Sequence, residues 1–349
     1  MTNPAARVFE VNSKGLDVRR GVRVAVVLLV PLLLLALLNQ EAYWVSMTFG
    51  ALFVGLIDPG GNYSFRIRDM AGFGIAGALL TVLAFAIGEG PWGFVVLVAG
   101  VITALSGLTV KFGKHRFVAG VLLNAWFLIA LALPGSYSAA HISTPAWAQA
   151  VAWLIGSALM IGYTFIVWLA GGRTAQPEAV PEFPGDTSPI PLTAPIVLFA
   201  VIRAVAVSIA VAIAFGLHLP NADWMPIATL VAMKPSLKQS GLVAVQRLTG
   251  VSLGAVVAML FLATVHDKFI LEVIIAILCV AAASIRMLSY TLYVAAVTGA
   301  VLMAMDLPHP SNLAAEGERV LFTFIGVAIA YLVMLIANEL QKARSTKSG

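Results

Sequence analysis

The chain has 349 residues, of which 60% are hydrophobic and only 11% charged, and its formal net charge is +5. Soluble domains carry roughly a quarter charged residues, so a soluble enzyme or binding domain is excluded. Nor does the basic balance point to nucleic acid, because in so apolar a chain lysine and arginine report which helix ends stay inside.

A spanning helix needs about 20 mainly apolar residues. The runs here are long and unbroken, unlike the alternating stretches of about 10 residues in a transmembrane barrel. Residues 1–21 are expected to form a cytoplasmic N-terminal segment. The first apolar run, Val24 to Leu38, has the length of a signal-peptide core. Asn39-Gln40-Glu41 follows it in place of a small-residue cleavage site, so it reads as a retained helix over 22–39. Further spans are expected over 43–58, 70–88, 92–110, 116–134 and 147–169, giving a six-helix membrane unit over 22–170. A Pro-rich linker, 171–195, follows and is too short to hold a soluble domain. Spans over 197–217, 223–234, 243–264, 268–284, 287–305 and 319–338 give a second unit, 196–339, before a basic tail, 340–349. The expected fold class is therefore all-α: a polytopic membrane protein of about twelve transmembrane helices.

The two units repeat one plan. Arg23 stands 21 residues before Trp44, and Arg203 stands 21 residues before Trp224. Asp58-Pro59 answers to Lys234-Pro235, Arg116 to Arg286 and Gln149 to Arg319. Short spans in matching positions, each ending at a charged residue and a proline, point to a transport path. Arg19, Arg20, Arg66, Arg68, Lys111, Lys114, Arg173, Lys238, Arg247, Arg286, Lys342, Arg344 and Lys347 fall on one side. Glu41, Glu89, Asp223, Asp267, Asp306, Glu316 and Glu318 fall on the other. Basic loops stay cytoplasmic, so both termini are expected in the cytoplasm with the helices crossing the cell (inner) membrane, and six spans per unit give the repeats the same orientation. A substrate path near the axis relating them is expected.

No catalytic constellation appears, and no cofactor is implied. Gly107 to Lys114 misses the phosphate-binding loop by one residue of spacing, and His115 stands where Ser or Thr is needed. His115, His141, His218, His266 and His309 are scattered and read as solvated loop residues rather than as metal ligands. Cys279 is the single cysteine, so an intramolecular disulfide is excluded.

The most specific stretch runs from Trp224 to Gly254: W-M-P-I-A-T-L-V-A-M-K-P, then S-L-K-Q-S-G-L-V-A-V, then Q-R-L-T-G-V-S-L-G. It resembles the fusaric acid resistance and aromatic acid exporter family, in which an aromatic-started short span, a proline turn and an Arg-x-x-Gly-x-x-x-Gly helix follow one another. Trp224, Pro235, Arg247, Gly250 and Gly254 hold those positions, and Glu318-Arg319 with Thr323 and Gly326 forms a second family-like element. Trp44, Pro59, Arg68, Gly72, Gly74 and Gly77 match more loosely. The resemblance implies export of aromatic carboxylic acids or similar organic anions, driven by an ion gradient. It also implies a distant relation to plant aluminium-activated malate transporters.

Each candidate has two readings. Arg247, Arg68 and Arg203 are either anchors that snorkel to the headgroups or anion ligands, since a guanidinium fork matches a carboxylate. Arg319, against the orientation rule, is either locally ion-paired or an exit site. Asp58 and Lys234 either cap helix ends or pair with each other as a switch. Trp44 and Trp224 are belt residues or a stacking surface for an aromatic substrate. Asn124 and Tyr290 either bond a neighbouring helix or line the path. Gly72, Gly74, Gly77, Gly250 and Gly254 are assigned to close helix packing. The expected partners are the lipid bilayer, a small organic anion, protons and a second copy of the chain, with no nucleic acid. Two alternatives to a coupled exporter stay open: a passive anion channel, which would give steady currents following the anion's potential, and a non-transporting envelope-assembly protein, which would have a bundle closed by apolar packing.

Overall fold

In a chain this apolar, backbone N–H and C=O groups have little water to bond, so the apolar runs satisfy them internally as helices. The computed structural model describes residues 9, 11–12, 15–16, 18–38, 40–139, 143–173, 188–219, 222, 224–233, 237–265, 267–306 and 313–347. Among them no strand occurs. In chain order the helices are α1 (Val18–Leu37), α2 (Trp44–Leu56), α3 (Tyr63–Ile87), α4 (Trp92–Leu108), α5 (Lys114–Ala139) and α6 (Ala146–Ala170), then α7 (Ala194–Gly216), α8 (Trp224–Ala232), α9 (Leu237–Thr264), α10 (Lys268–Ile285), α11 (Tyr290–Asp306) and α12 (Leu313–Lys347).

Seven segments in the described residues are long and apolar enough to cross a membrane, those of α3 to α7 and parts of α9 and α12. Trp44–Leu56, Phe269–Ile285 and Tyr290–Met303 are apolar but shorter. Large side chains such as Leu79 and Ile277 lie open on the helix surfaces, 67% and 60% exposed, as a lipid-facing surface requires.

Local chemistry sets several boundaries. Pro59 disfavours helical geometry at Asp58, so α2 stops at once. Gly60 and Gly61 take positive φ of 68° and 77°, and the Gly60 N–H donates to Asp58 Oδ1 at 3.0 Å, closing a tight turn. Asn62 then caps α3, accepting from the Ser64 N–H at 2.9 Å. Gly113, at φ 101°, separates a short 3₁₀ turn (Thr109–Phe112) from α5. Asp267 caps α10, accepting from the Ile270 N–H at 3.0 Å.

The chain divides into two compact units, Val27–Ser208 and Met1–Val26 with Ile209–Gly349. The division falls within α1 and α7 and not at the Pro-rich stretch. Part of the reason is visible at α7: within the first of these units a Cβ on Gly107 of α4 would lie 2.7 Å from that of Ala200.

In the Val27–Ser208 unit, α2 packs on α6, α3 on α5 and α6, and α4 on α5. Its centre is aromatic. Trp126 and Trp153 are fully buried and stacked at 4.4 Å, and Phe49, Phe53 and Phe73 pack around them. The Trp153 indole donates to Gly74 O at 2.8 Å; the Trp126 indole donates to Thr81 Oγ1 at 2.8 Å, which itself donates to Gly77 O. Such rings fit because α3 offers glycines. A Cβ at Gly77 would collide with the Trp153 indole, and one at Gly74 would lie 3.1 Å from Ser157 Cβ. Gly77→Ala is therefore expected to destabilise the unit by about 1–3 kcal/mol. A thermal melt in detergent checks this; an unchanged melt means the ring pair moves aside freely. At Gly72 a Cβ would meet nothing within 4 Å among the described residues, so none of these accounts for the packing role expected of it.

In the other unit α8 packs on α12, α9 on α11 and α12, and α10 on α11. Gly250 faces Thr291 and Val294, and Gly254 faces Ala295 and Thr298, so α9 and α11 run parallel in close contact. Thr229 of α8 reaches Gly326 O of α12 at 2.8 Å, where a Cβ on Gly326 would come within 3.0 Å of Ala228.

Candidate functional site

Two groups of polar side chains stand out, one in each unit. In the Val27–Ser208 unit, Arg66 of α3 is 3% exposed and grips Asp58 at the α2 end with both arms. Its Nε donates to Oδ1 at 2.7 Å, and Nη2 bonds Oδ2. One turn further along α3, Asp69 is 4% exposed and contacts His115 Nε2 and Arg116 Nη1 from the first turn of α5. His115, at 1% exposed, is buried and not a solvated loop residue. The correction has a simple cause: α5 begins at Lys114, earlier than expected, so His115 lies in its first turn facing α3.

The other unit carries a cation–aromatic group. The parallel packing of α9 on α11 sets Arg247, one turn before Gly250, level with the turn that opens α11. There the Arg247 side chain lies beside the Tyr290 hydroxyl. Tyr290 and Tyr293 rings lie 6.2 Å apart, and the Arg286 guanidinium sits 5.4 Å from the Tyr293 ring centre. Arg247 Nε and Ser289 Oγ are buried atoms without a hydrogen-bond partner, and Ser289 is 3% exposed. Leaving a buried polar group unpaired costs about 1–3 kcal/mol, a cost that an anionic ligand would offset. No Asp or Glu occurs in α9, so no carboxylate of that helix competes for Arg247.

The other expected residues are placed as follows. Asp58 has Arg66 as its partner; Lys234 lies outside the described residues, as does the side chain of Arg319. Arg68 is exposed, whereas Arg203 is buried in α7 with its guanidinium 6.0 Å from the Phe117 ring centre. Asn124 is fully buried and bonds across to α4, donating to Thr103 Oγ1 at 3.1 Å and Ser106 Oγ at 3.4 Å. Trp44 packs with Leu35, Met47 and Ala152, and Trp224 with Ala222, Met225 and Phe322. Both indole N–H groups are buried without a partner. Gln149, fully buried, accepts from Ser46 Oγ at 2.5 Å and donates to Ala42 O at 3.0 Å. Ala42 O also accepts from Tyr137 at 2.8 Å.

Arg66, Asp69, Ser289 and Tyr293 carry weight here without having been singled out in the sequence. The signal for the first two was present. Asp69 is an acid inside an apolar helix run, three residues from an arginine on the same helix face. Tyr293 stands one turn after Tyr290, and Ser289 had no signal.

This combination defines a class: an all-helical, multi-pass membrane protein whose few buried charges are gathered into compact groups. More specifically, residues 208–333 match the family model described as fusaric acid resistance protein-like. The matched segment contains Arg247, Arg286, Tyr290 and Tyr293, together with most of the sequence stretch that carried the resemblance. No curated protein and no solved structure matches the chain.

Proposed function

We propose that the protein exports small organic anions, aromatic carboxylates fitting best, across the cell's inner membrane, and that it is not an enzyme. The observation that carries this reading is the Arg247–Tyr290 group within the family-matched segment. It sets a guanidinium nitrogen and a serine hydroxyl, both lacking partners, beside two tyrosine rings. A carboxylate would take the guanidinium fork, and an aromatic body would lie against the tyrosines. The unpartnered indoles of Trp44 and Trp224 are further donors in this reading.

The finer architecture belongs to the same proposal. About twelve spans form two repeats of one orientation, with both termini in the cytoplasm. Support comes from the helix pairings, which recur in order: α2 on α6 and α8 on α12, α3 on α5 and α9 on α11, α4 on α5 and α10 on α11. The one-sided distribution of Arg and Lys supports the orientation. Export is coupled to the proton gradient, and a second copy of the chain is a candidate partner.

The test is a screen of organic acids, fusaric and benzoic acids among them, in cells with and without the gene. Cells carrying it are expected to tolerate aromatic acids at several-fold higher concentration and to accumulate less of them. Equal accumulation for every acid would overturn the reading. Collapsing the proton gradient should abolish uphill export, and export that continues unchanged removes the proton from the mechanism.

A further inference from the structure

Asp69 is one carboxylate facing two bases. Its Oδ1 meets Arg116 Nη1, and its Oδ2 meets His115 Nε2. The side chains of Asp69 and His115 are each 1% exposed, whereas that of Arg116 is 42% exposed. The charges in this group do not balance in every protonation state. With His115 neutral, Asp69 is balanced by Arg116, whose charge is permanent. With His115 protonated, two cations share one anion in a buried setting, where surplus charge is costly. The partner that can leave is Arg116, because only it reaches water.

The surrounding charges leave this competition intact. Asp58 and Arg66, at the α2 end and one turn back on α3, satisfy each other. Arg68 on α3, Lys111 in the 3₁₀ turn and Lys114 on α5 are exposed. Arg203 of α7 lies over the Phe117 ring. Among these groups histidine is the one whose charge changes near neutral pH.

We infer that Asp69 and His115 form a proton-binding site whose occupancy releases Arg116 to bind an anion. The inference rests on the organic-anion reading above and adds a second anion-binding residue, in a different unit, with a proton as its co-ligand. One proton adds to the His115 imidazole, the imidazolium holds Asp69, and the freed guanidinium takes a carboxylate through its fork. Proton and anion bind together, so acid conditions favour anion binding. Acidification accompanies the entry of a weak acid into a cell, so the site would engage when its ligand is present.

The test uses the full chain in lipid nanodiscs, with two readouts. In nitrogen-15 histidine NMR, the His115 signal, assigned by its loss in H115Q, moves from its neutral to its protonated position as the pH is lowered over the range in which histidines change charge. In D69N it stays neutral over more of that range. Benzoate binding is expected to tighten about tenfold from the high to the low end of the range in the native chain, a difference of about 1.4 kcal/mol. H115Q binds weakly at every pH. D69N binds tightly at every pH, because nothing then holds Arg116. A role confined to bridging α3 and α5 predicts no such gain. The Arg247→Ala chain is measured alongside, and the pH-dependent part of binding must survive in it. A His115 signal that does not move, or a D69N chain that binds no better than the native chain at high pH, overturns the inference even if export is real. Titration of His115 without benzoate binding in any chain overturns the anion reading and the release of Arg116, leaving the proton site. Should D69N fail to fold, H115Q decides alone: benzoate binding that keeps its pH dependence overturns the inference.

Discussion

Replacing Arg66 with alanine is expected to destabilise the Val27–Ser208 unit by about 3–5 kcal/mol, the cost of stranding one partner of a buried ion pair. Its side chain is 4% exposed and holds the side chain of Asp58, 16% exposed, through two hydrogen bonds. Without Arg66 the carboxylate keeps, among the described residues, the Gly60 N–H. Asp58→Asn should cost less, because the amide oxygen can still accept from Gly60 and no charge is left behind. Combining Arg66→Ala with Asp58→Asn should recover much of the loss, since no unpaired charge then remains. Fraction folded against SDS concentration, for the native chain, both single variants and the double, gives the coupling energy. If the double variant is as unstable as Arg66→Ala plus Asp58→Asn taken separately, the two side chains are not coupled and the assignment fails.

That pair also shows what a sequence discloses and what it withholds. Asp58 stood out because it precedes Pro59 at the end of a short apolar run, and the same pattern recurred at Lys234-Pro235. Pattern alone offers two readings, a capped helix end and a pairing with Lys234, which lies outside the described residues. The partner in the structure is Arg66, eight residues on, brought back by a turn that Gly60 and Gly61 make possible. Local signals of this kind fix helix ends well: Pro59, Gly113 and Asp267 each mark a boundary that follows from backbone sterics or capping. Contacts between helices carry no such mark. Asp69 meets His115 across 46 residues, and nothing in either neighbourhood names the other. His115 looked solvated because it follows Lys111 and Lys114 in a basic stretch, yet a helix start a few residues earlier turns it inward. The glycines divide in the same way. Gly74 and Gly77 are legible as small residues three apart, but only the position of Trp153 shows why those two matter, while a Cβ at Gly72 would meet nothing within 4 Å among the described residues.

Arg247 separates the two readings of a membrane arginine, and lysine is the discriminating substitution. If Arg247 only anchors α9, Arg247→Lys should export as the native chain does, because lysine snorkels as well as arginine. If it binds a carboxylate, Arg247→Lys keeps the charge but loses the fork and should be intermediate, while Arg247→Ala should lose about 10- to 100-fold. That range corresponds to the roughly 1.5–3 kcal/mol of a charge-assisted hydrogen bond. The loss should fall on the concentration of acid needed for half-maximal export more than on the maximal rate, as expected for an interaction made in the bound ground state. Tyr290→Phe removes the hydroxyl that lies beside Arg247. It should leave the guanidinium freer for the ligand, so half-maximal export should need no more acid than in the native chain. Initial export rates of benzoate from loaded proteoliposomes, measured over a range of concentrations for the four chains, distinguish these outcomes. Equal rates for the native, lysine and alanine chains would return Arg247 to the role of an anchor. The acid-free length of α9 and the unpartnered Nε and Ser289 Oγ would then need another ligand to explain them.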